Sequence, residues 1–454
     1  MSTPFTFGPM LMFSALAVML LFGTILRARI RFFQNYLIPS CLIGGLFGLI
    51  LMNTGLIRIS TADLENAAYH FFNLSFISIG LTPSARSTPK GPKTEKRVRG
   101  ALWMALTQSA MFPLQAVCGA LTVMALALAG IKLFPTFGFF IPLGFEEGPG
   151  QALSFGKVWE GVGFEHAATI GLTFATIGFF FSFFVGVPLV NRGIRKGLAS
   201  SGGKSIPEHV LTGIMPPGEE REEAGRLSFH SGNIETLAFQ SALIGLVYLM
   251  TYLVIKALGI VLPADVASML WAFFFIVGLA LAYLVNWSMA RLHISHLVDS
   301  GIQRRITGWS VDFLIVATIM AIQLTIVWQY LLPIGVMSII GGVVTTAVTV
   351  YLGNRLWSYN LERTAAVYGA VTGTVSCGLL LLRIVDPEFK TPVSIEIAIM
   401  NVFSIPLIGL CTVLVNGPIW WQWPLWLMVV IFSSIMLIAF GLIKIFNLCG
   451  APKN

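Results

Sequence analysis

Charge is what this sequence has least of. Only 11% of its 454 residues are Asp, Glu, Lys or Arg, while 56% are hydrophobic; a soluble protein carries about 25% charged residues. That shortage excludes a soluble globular domain. Cysteine is sparse too. The five (Cys41, Cys118, Cys377, Cys411, Cys449) lie scattered in apolar stretches with no CxxC spacing, which excludes a disulfide framework and a thiolate metal site. No basic residue precedes Arg27, so the apolar N-terminus lacks the positive region of a cleaved signal peptide and reads as a retained first span. Acids paired at metal-binding spacing and His/Cys clusters are also missing. This argues against a membrane enzyme working on lipid-linked substrates and leaves no cofactor to expect.

What is present is long apolar runs. Stretches of about 20 apolar residues recur, each long enough to cross a bilayer. The chain is therefore predicted to be an all-α polytopic membrane protein. Read as eleven spans with the N-terminus outside and the C-terminus inside, it places Arg58, Lys132 and Lys256 in outside loops. Lys157, Arg383 and Lys390 fall in two irregular segments, and the other 22 of the 28 Lys and Arg lie on the cytoplasmic side. That bias sets the orientation in a bacterial cytoplasmic (inner) membrane. The net charge of +8 is a topology signal and not a nucleic-acid footprint.

The first irregular segment, about 137–163, contains Gly144-Phe-Glu-Glu-Gly-Pro-Gly-Gln-Ala-Leu-Ser154. A charge at bilayer depth costs at least about 2.5 kcal/mol, and irregular backbone there needs protein or water around it. The next span carries Glu165, Thr169, Thr173 and Thr176, whose spacing of four, four and three falls on one helix stripe. Together they read as the wall of a solute site. Any single threonine is equally well explained by a bond to its own helix.

In chain order, span one ends in Arg27, Arg29 and Arg31. Span two follows Pro39 with Gly44, Gly45 and Gly48, glycines that more often mark tight helix packing than a ligand. Span three carries Asn66, Asn73, Ser75 and Ser78 and leads into a basic loop from Arg86 to Arg99. Span four holds Gln108 and Gln115 on one face. Residues 191–231, with Ser200-Ser-Gly-Gly-Lys204 and a charged run after Pro216, are predicted to be a cytoplasmic linker. The second half, 232–416, replays the first. Span eight contains Asp312 and Gln323. The second irregular segment, about 362–390, contains Gly369-Ala-Val-Thr-Gly-Thr-Val-Ser-Cys-Gly378, Arg383 and Asp386-Pro-Glu388. Span ten aligns Ser394, Asn401 and Ser404. An extra span in 417–454 follows a tryptophan cluster of the interfacial kind.

Each half (1–190 and 232–416) thus has five spans, with a glycine-rich, too-short segment before the fifth. Five is odd, so the halves face opposite ways. Inverted repeats broken at matching positions point to a secondary transporter's binding site.

The stretches Tyr36-Leu-Ile-Pro-Ser-Cys-Leu-Ile-Gly-Gly45, Phe76-Ile-Ser-Ile-Gly-Leu81, Gly148-Pro-Gly-Gln-Ala152, Gly163-Phe164, Ala175-Thr-Ile-Gly178 and Pro188 resemble the bacterial sodium:glutamate symporter family over most of residues 10 to 416. The resemblance implies two inverted five-span repeats, each with a re-entrant hairpin. It also implies a homodimer, sodium-driven uptake of an anionic amino acid and elevator-like movement. The chain departs from the family at both hairpins. Gly144-Phe-Glu-Glu-Gly-Pro-Gly150 stands where the family has a Gly-Gly-His-Gly-Thr-Gly-like run. Val375-Ser-Cys-Gly-Leu-Leu-Leu-Leu382 stands where it has a Gly-Ala-Thr-Pro-Thr-Ala-like one.

Sodium takes five or six oxygens, as hard cations do, and helix breaks free such carbonyls. The sodium candidates are Glu147, Thr173, Ser376 and Asn401. A carboxylate solute instead needs helix N-termini and a cation. The candidate solute contacts are Glu146, Glu147, Gly148, Gly150, Gln151, Ser154, Thr169, Thr173, Thr374, Ser376, Arg383, Asn401 and Ser404. Arg383 is the arginine placed at membrane depth, where its fork suits a carboxylate; its other reading is a pair with Asp386 or Glu388, or a place at the membrane edge. The two glutamates could equally repel an anion, which leaves open a neutral or cationic solute. His166 and Asp312 are further titratable candidates. The expectation is sodium-coupled symport of glutamate or a related small carboxylate by alternating access. The alternatives are a proton-coupled carrier of another solute and a channel.

Overall fold

The computed structural model describes residues 5–82, 94–200, 206–218, 223–230, 232–387 and 389–450. The basic loop over 83–93, the glycine–lysine cluster at 201–204, part of the charged run after Pro216 and Glu388 lie outside them.

Every regular element among the described residues is helical. The principal helices are α1 (Gly8–Arg29), α2 (Ser40–Asn53), α3 (Thr61–Leu81), α4 (Thr94–Leu128), α5 (Phe140–Phe145), α6 (Pro149–Glu160), α7 (Ala167–Arg195) and α8 (Thr236–Val261). After them come α9 (Phe274–Arg291), α10 (Ser300–Met320), α11 (Leu331–Gly353), α12 (Asn360–Thr372), α13 (Val375–Val385), α14 (Val393–Leu414) and α15 (Leu425–Ile445). Eight helices in the described chain are long and apolar enough to cross a membrane. The chain is thus a multi-span helical membrane protein. Of the other predicted spans, α2 has only 14 residues. Helices α3 and α10 have the length but carry acids and amides along it, and they pack against each other.

Local chemistry sets the helix ends. Pro9 sits in the first turn of α1, where a missing N–H costs nothing, and Arg27 and Arg29 occupy its last turn, where cations favour the helix dipole. The predicted packing role of the span-two glycines holds. A Cβ on Gly44 would stand 2.2 Å from Met19 O, and one on Gly48 2.6 Å from Met320 Cγ. Small residues let these helices approach until their backbones touch.

The helices form two packed groups. Helices α1, α2, α3, α8, α9 and α10 form one; α4, α7 and α11 to α15 form the other, together with α5 and α6. The seam between them is apolar, built from Phe72, Phe275 and Ile319 on one side and Leu153, Ala168, Phe179 and Cys377 on the other. An ion pair among the described residues also crosses it. Lys157 of α6 lies 2.8 Å from Glu65 of α3, and Glu65 is almost fully shielded.

Candidate functional site

The first break lies between α5 and α6. The chain leaves helix at Phe145, passes Glu146, Glu147 and Gly148, and resumes at Pro149. Gly148 has φ +83° and ψ −174°, a region only glycine occupies at low cost. Helix α6, with 12 residues, rises about 18 Å, too short for an apolar layer of about 30 Å. Glu146 is 5% exposed, and neither of its carboxylate oxygens has a hydrogen-bond partner. Glu147 Oε2 accepts from Gln151 Nε2 one turn on. Gln151 Oε1 is buried and unpartnered.

The second break lies between α12 and α13, at Gly373 and Thr374. Ser182 sits in a π-helical turn of α7, Phe181–Val185, and its hydroxyl lies 2.7 Å from that of Thr372. Such turns concentrate at functional positions. Gln115 Nε2 of α4 donates to Val371 O at 2.9 Å and to Thr345 Oγ1 at 3.1 Å.

The two breaks touch. A Cβ placed on Gly148 would stand 2.9 Å from Thr374 Cγ2 and 3.5 Å from Gly373 O. Helix α7 lies against both, because a Cβ on Gly178 would meet Thr372 O at 2.6 Å and Phe145 Cα at 3.1 Å. Four helix ends therefore converge: the carbonyl ends of α5 and α12 and the amide ends of α6 and α13. Carbonyl ends attract cations and amide ends attract anions.

A family model described as sodium/glutamate symporter matches residues 6–379. The chain belongs to this family. No curated protein matches it. The match contains both breaks and ends within α13, so α14 and α15 lie beyond it. A member of the sodium/glutamate symporter family is a membrane transporter and implies sodium as the coupling ion, so the convergence of the breaks is the natural place to examine for solute and ion contacts.

The expected site residues do not all gather there. Glu146, Glu147, Gly148 and Thr374 line the junction, with Gln151 and Gly150 one turn into α6 or less. Gly150 lies close against the ring of Phe72. Ser154 donates to Gly150 O at 2.8 Å, and Thr173 donates to Thr169 O at 2.7 Å, so these hydroxyls are satisfied within their own helices, as is Thr176 by Leu172 O. Thr169 is buried, and Ser376 is exposed at the start of α13. Glu165 and His166 are exposed in the turn before α7.

Arg383 lies in the last turn of α13 with its guanidinium 5.0 Å from the Phe389 ring centroid. Nine residues separate it from Thr374, about 14 Å along the helix. Asp386 accepts instead from the Lys390 and Thr391 amides at 2.9 and 2.7 Å. Ser404 bonds Gln108 Oε1 at 3.3 Å and Asn401 O at 3.2 Å, and Asn401 is half-buried beside it. Asp312 lies on α10, in the other helix group. Arg383→Ala is expected to leave the half-saturating solute concentration within about threefold of wild type, the scale of a substitution away from a binding contact. A tenfold rise in a counterflow assay would place Arg383 on the solute.

Sequence reasoning missed an arginine. It counted Arg363 among loop residues, whereas the structure puts it in the first turn of α12, 1% exposed. Its Nε and Nη2 donate to the two Glu396 oxygens of α14, each at 2.8 Å, and Nη1 donates to Ser358 O at 2.8 Å. Trp357 and Tyr359 flank the guanidinium. Ser182 was missed as well, since its only sequence signal is a serine in an apolar run. Gln115 was legible as one of two amides on a helix face.

Proposed function

We propose that this protein carries out sodium-coupled symport of glutamate or a related small carboxylate across the cytoplasmic membrane, by alternating access with an elevator-like movement. The contact between the breaks at Gly148 and Thr374, in a chain of this family, is the observation that carries the reading. Helices α1 to α7 and α8 to α14 then form two inverted repeats. The pairs α5–α6 and α12–α13 are their re-entrant hairpins, entering the membrane from opposite sides and meeting midway. The basic bias puts the N-terminus outside and the C-terminus inside. The protein acts as a homodimer.

In this reading the solute carboxylate lies at the amide ends of α6 and α13. Sodium lies at the carbonyl ends of α5 and α12, with Glu147 supplying charge and Thr173, Ser376 or Asn401 the remaining oxygens in other states of the cycle. The group carrying the breaks slides along the apolar seam, and the Lys157–Glu65 pair breaks as it goes.

Counterflow of preloaded solute in proteoliposomes tests the carrier, since a channel gives none; a steep sodium dependence at fixed pH tests the coupling ion. Glu147→Gln is expected to reduce sodium-driven uptake at least tenfold with the protein still monodisperse, because one buried charge contact to an ion is removed. Wild-type sodium dependence in that variant would take Glu147 out of the ion site.

A further inference from the structure

A cavity of about 230 Å³ opens between the ends of α7 and α11 and the first turn of α12, at the opposite end of α12 from the break at Gly373. Arg192, Lys196, Asn354 and Asn360 line it. Both cations are exposed, and among the described residues neither has an acidic partner. No acid among the described residues lines the cavity. Glu362, in the same turn of α12, is inaccessible and accepts from the Ser200 amide at 2.7 Å. Apolar residues stand one turn deeper. Leu189 comes before Arg192 and Val350 before Asn354, each by about one turn and each half-buried in the cavity wall, so each pair shares a helix face. The cleft is therefore polar at its mouth and apolar toward the membrane span. Close packing holds its shape. Gly193 lies against Leu361 and Gly353 against Thr364 Oγ1, so tightly that a Cβ on either glycine would clash; small residues let the three helices approach.

We propose that this cleft holds the headgroup of an anionic phospholipid. Arg192 and Lys196 take its phosphate, the amides of Asn354 and Asn360 add hydrogen bonds, and the acyl chains leave over Leu189 and Val350. Basic pockets between membrane helices on the cytoplasmic side suit such headgroups, and the orientation proposed above puts the ends of α7 and α11 on that side. A soluble phosphate compound carries the same charged group but makes no use of the apolar wall. Bound there, the lipid ties the end of α7 to the first turn of α12, the two helices that meet at the second break.

The test is thermal unfolding of the purified full chain in a neutral detergent against added dioleoylphosphatidylglycerol. It needs no solute, sodium or membrane orientation, so its outcome is separate from that of the transport reading. The unfolding temperature is expected to rise saturably with this lipid. Dioleoylphosphatidylcholine, whose headgroup has no net charge, is expected to give no saturable rise. Arg192→Gln with Lys196→Gln is expected to raise the half-saturating lipid concentration at least tenfold, the scale of removing two cations from an anionic lipid surface. The unfolding curve of that variant without lipid shows whether it is folded. Arg29→Gln with Arg195→Gln removes the same charge from exposed positions outside the cleft and is expected to leave the lipid response at the wild-type level. Equal loss in the two double variants overturns the proposal, because it reports diffuse attraction to basic helix ends. No saturable rise with phosphatidylglycerol, or the same rise with phosphatidylcholine, overturns it as well. Full stabilisation by inorganic phosphate or glycerol phosphate, lost in the Arg192→Gln, Lys196→Gln variant, overturns the lipid and puts a soluble phosphate compound in its place.

Discussion

Gly148→Ala is expected to abolish counterflow while the purified protein still runs as a single species. Two effects add at this position. The φ of +83° with an extended ψ costs a residue with a side chain about 1–3 kcal/mol. The new methyl would also lie 2.9 Å from Thr374 Cγ2, inside van der Waals contact. Both are relieved by pushing the breaks apart, so the loss falls on the junction and not on the packed helices around it. Thr374→Ser removes the opposing methyl and should restore part of the activity in the double variant without restoring the backbone geometry. Full activity in Gly148→Ala would mean that the breaks need not approach this closely in the transport cycle.

The largest effect on stability is expected at Arg363 and Glu396. Both side chains are essentially inaccessible, at 1% and 0%, and their pairing is bidentate. Removing one partner strands a charge, and such breaks cost about 3–5 kcal/mol. Glu396→Ala and Arg363→Ala should each lower the unfolding temperature sharply in detergent. Replacing both at once with apolar residues of similar size should cost much less, because no charge is then left unpaired. If the double replacement costs the sum of the single ones, the two side chains act independently and the account of their coupling is wrong. The pair ties the first turn of α12 to α14, so its loss should also loosen the base of the segment carrying the second break.

Spans were legible because hydrophobicity is a local signal that length alone converts into helices. The breaks were legible for the same reason: Glu146, Glu147, Gly148 and Pro149 are four adjacent residues that an unbroken lipid-facing helix would not carry. The threonine stripe was less informative than it looked. Thr173 and Thr176 have the spacing of a binding wall, yet their hydroxyls turn back to Thr169 O and Leu172 O. A threonine on a helix has a carbonyl in reach whatever stands opposite, so spacing cannot tell the two cases apart. Arg383 is ambiguous for a related reason. A lone arginine in an apolar run shows that its charge must be accommodated, without showing at which end of the helix.

Sequence by itself determined that this chain is helical, that it lives in a bilayer and where the two glycine-rich breaks fall, because each depends on residues within a few turns of one another. Tertiary structure alone decided that Gly148 meets Thr374, that Ser182 and Gln115 reach the second break, and that Arg363 answers Glu396 and not a solute. Those contacts join residues 33 to 256 positions apart in the chain. Side-chain chemistry there depends on which helices the packing of small and apolar residues brings together, a choice that no local pattern carries.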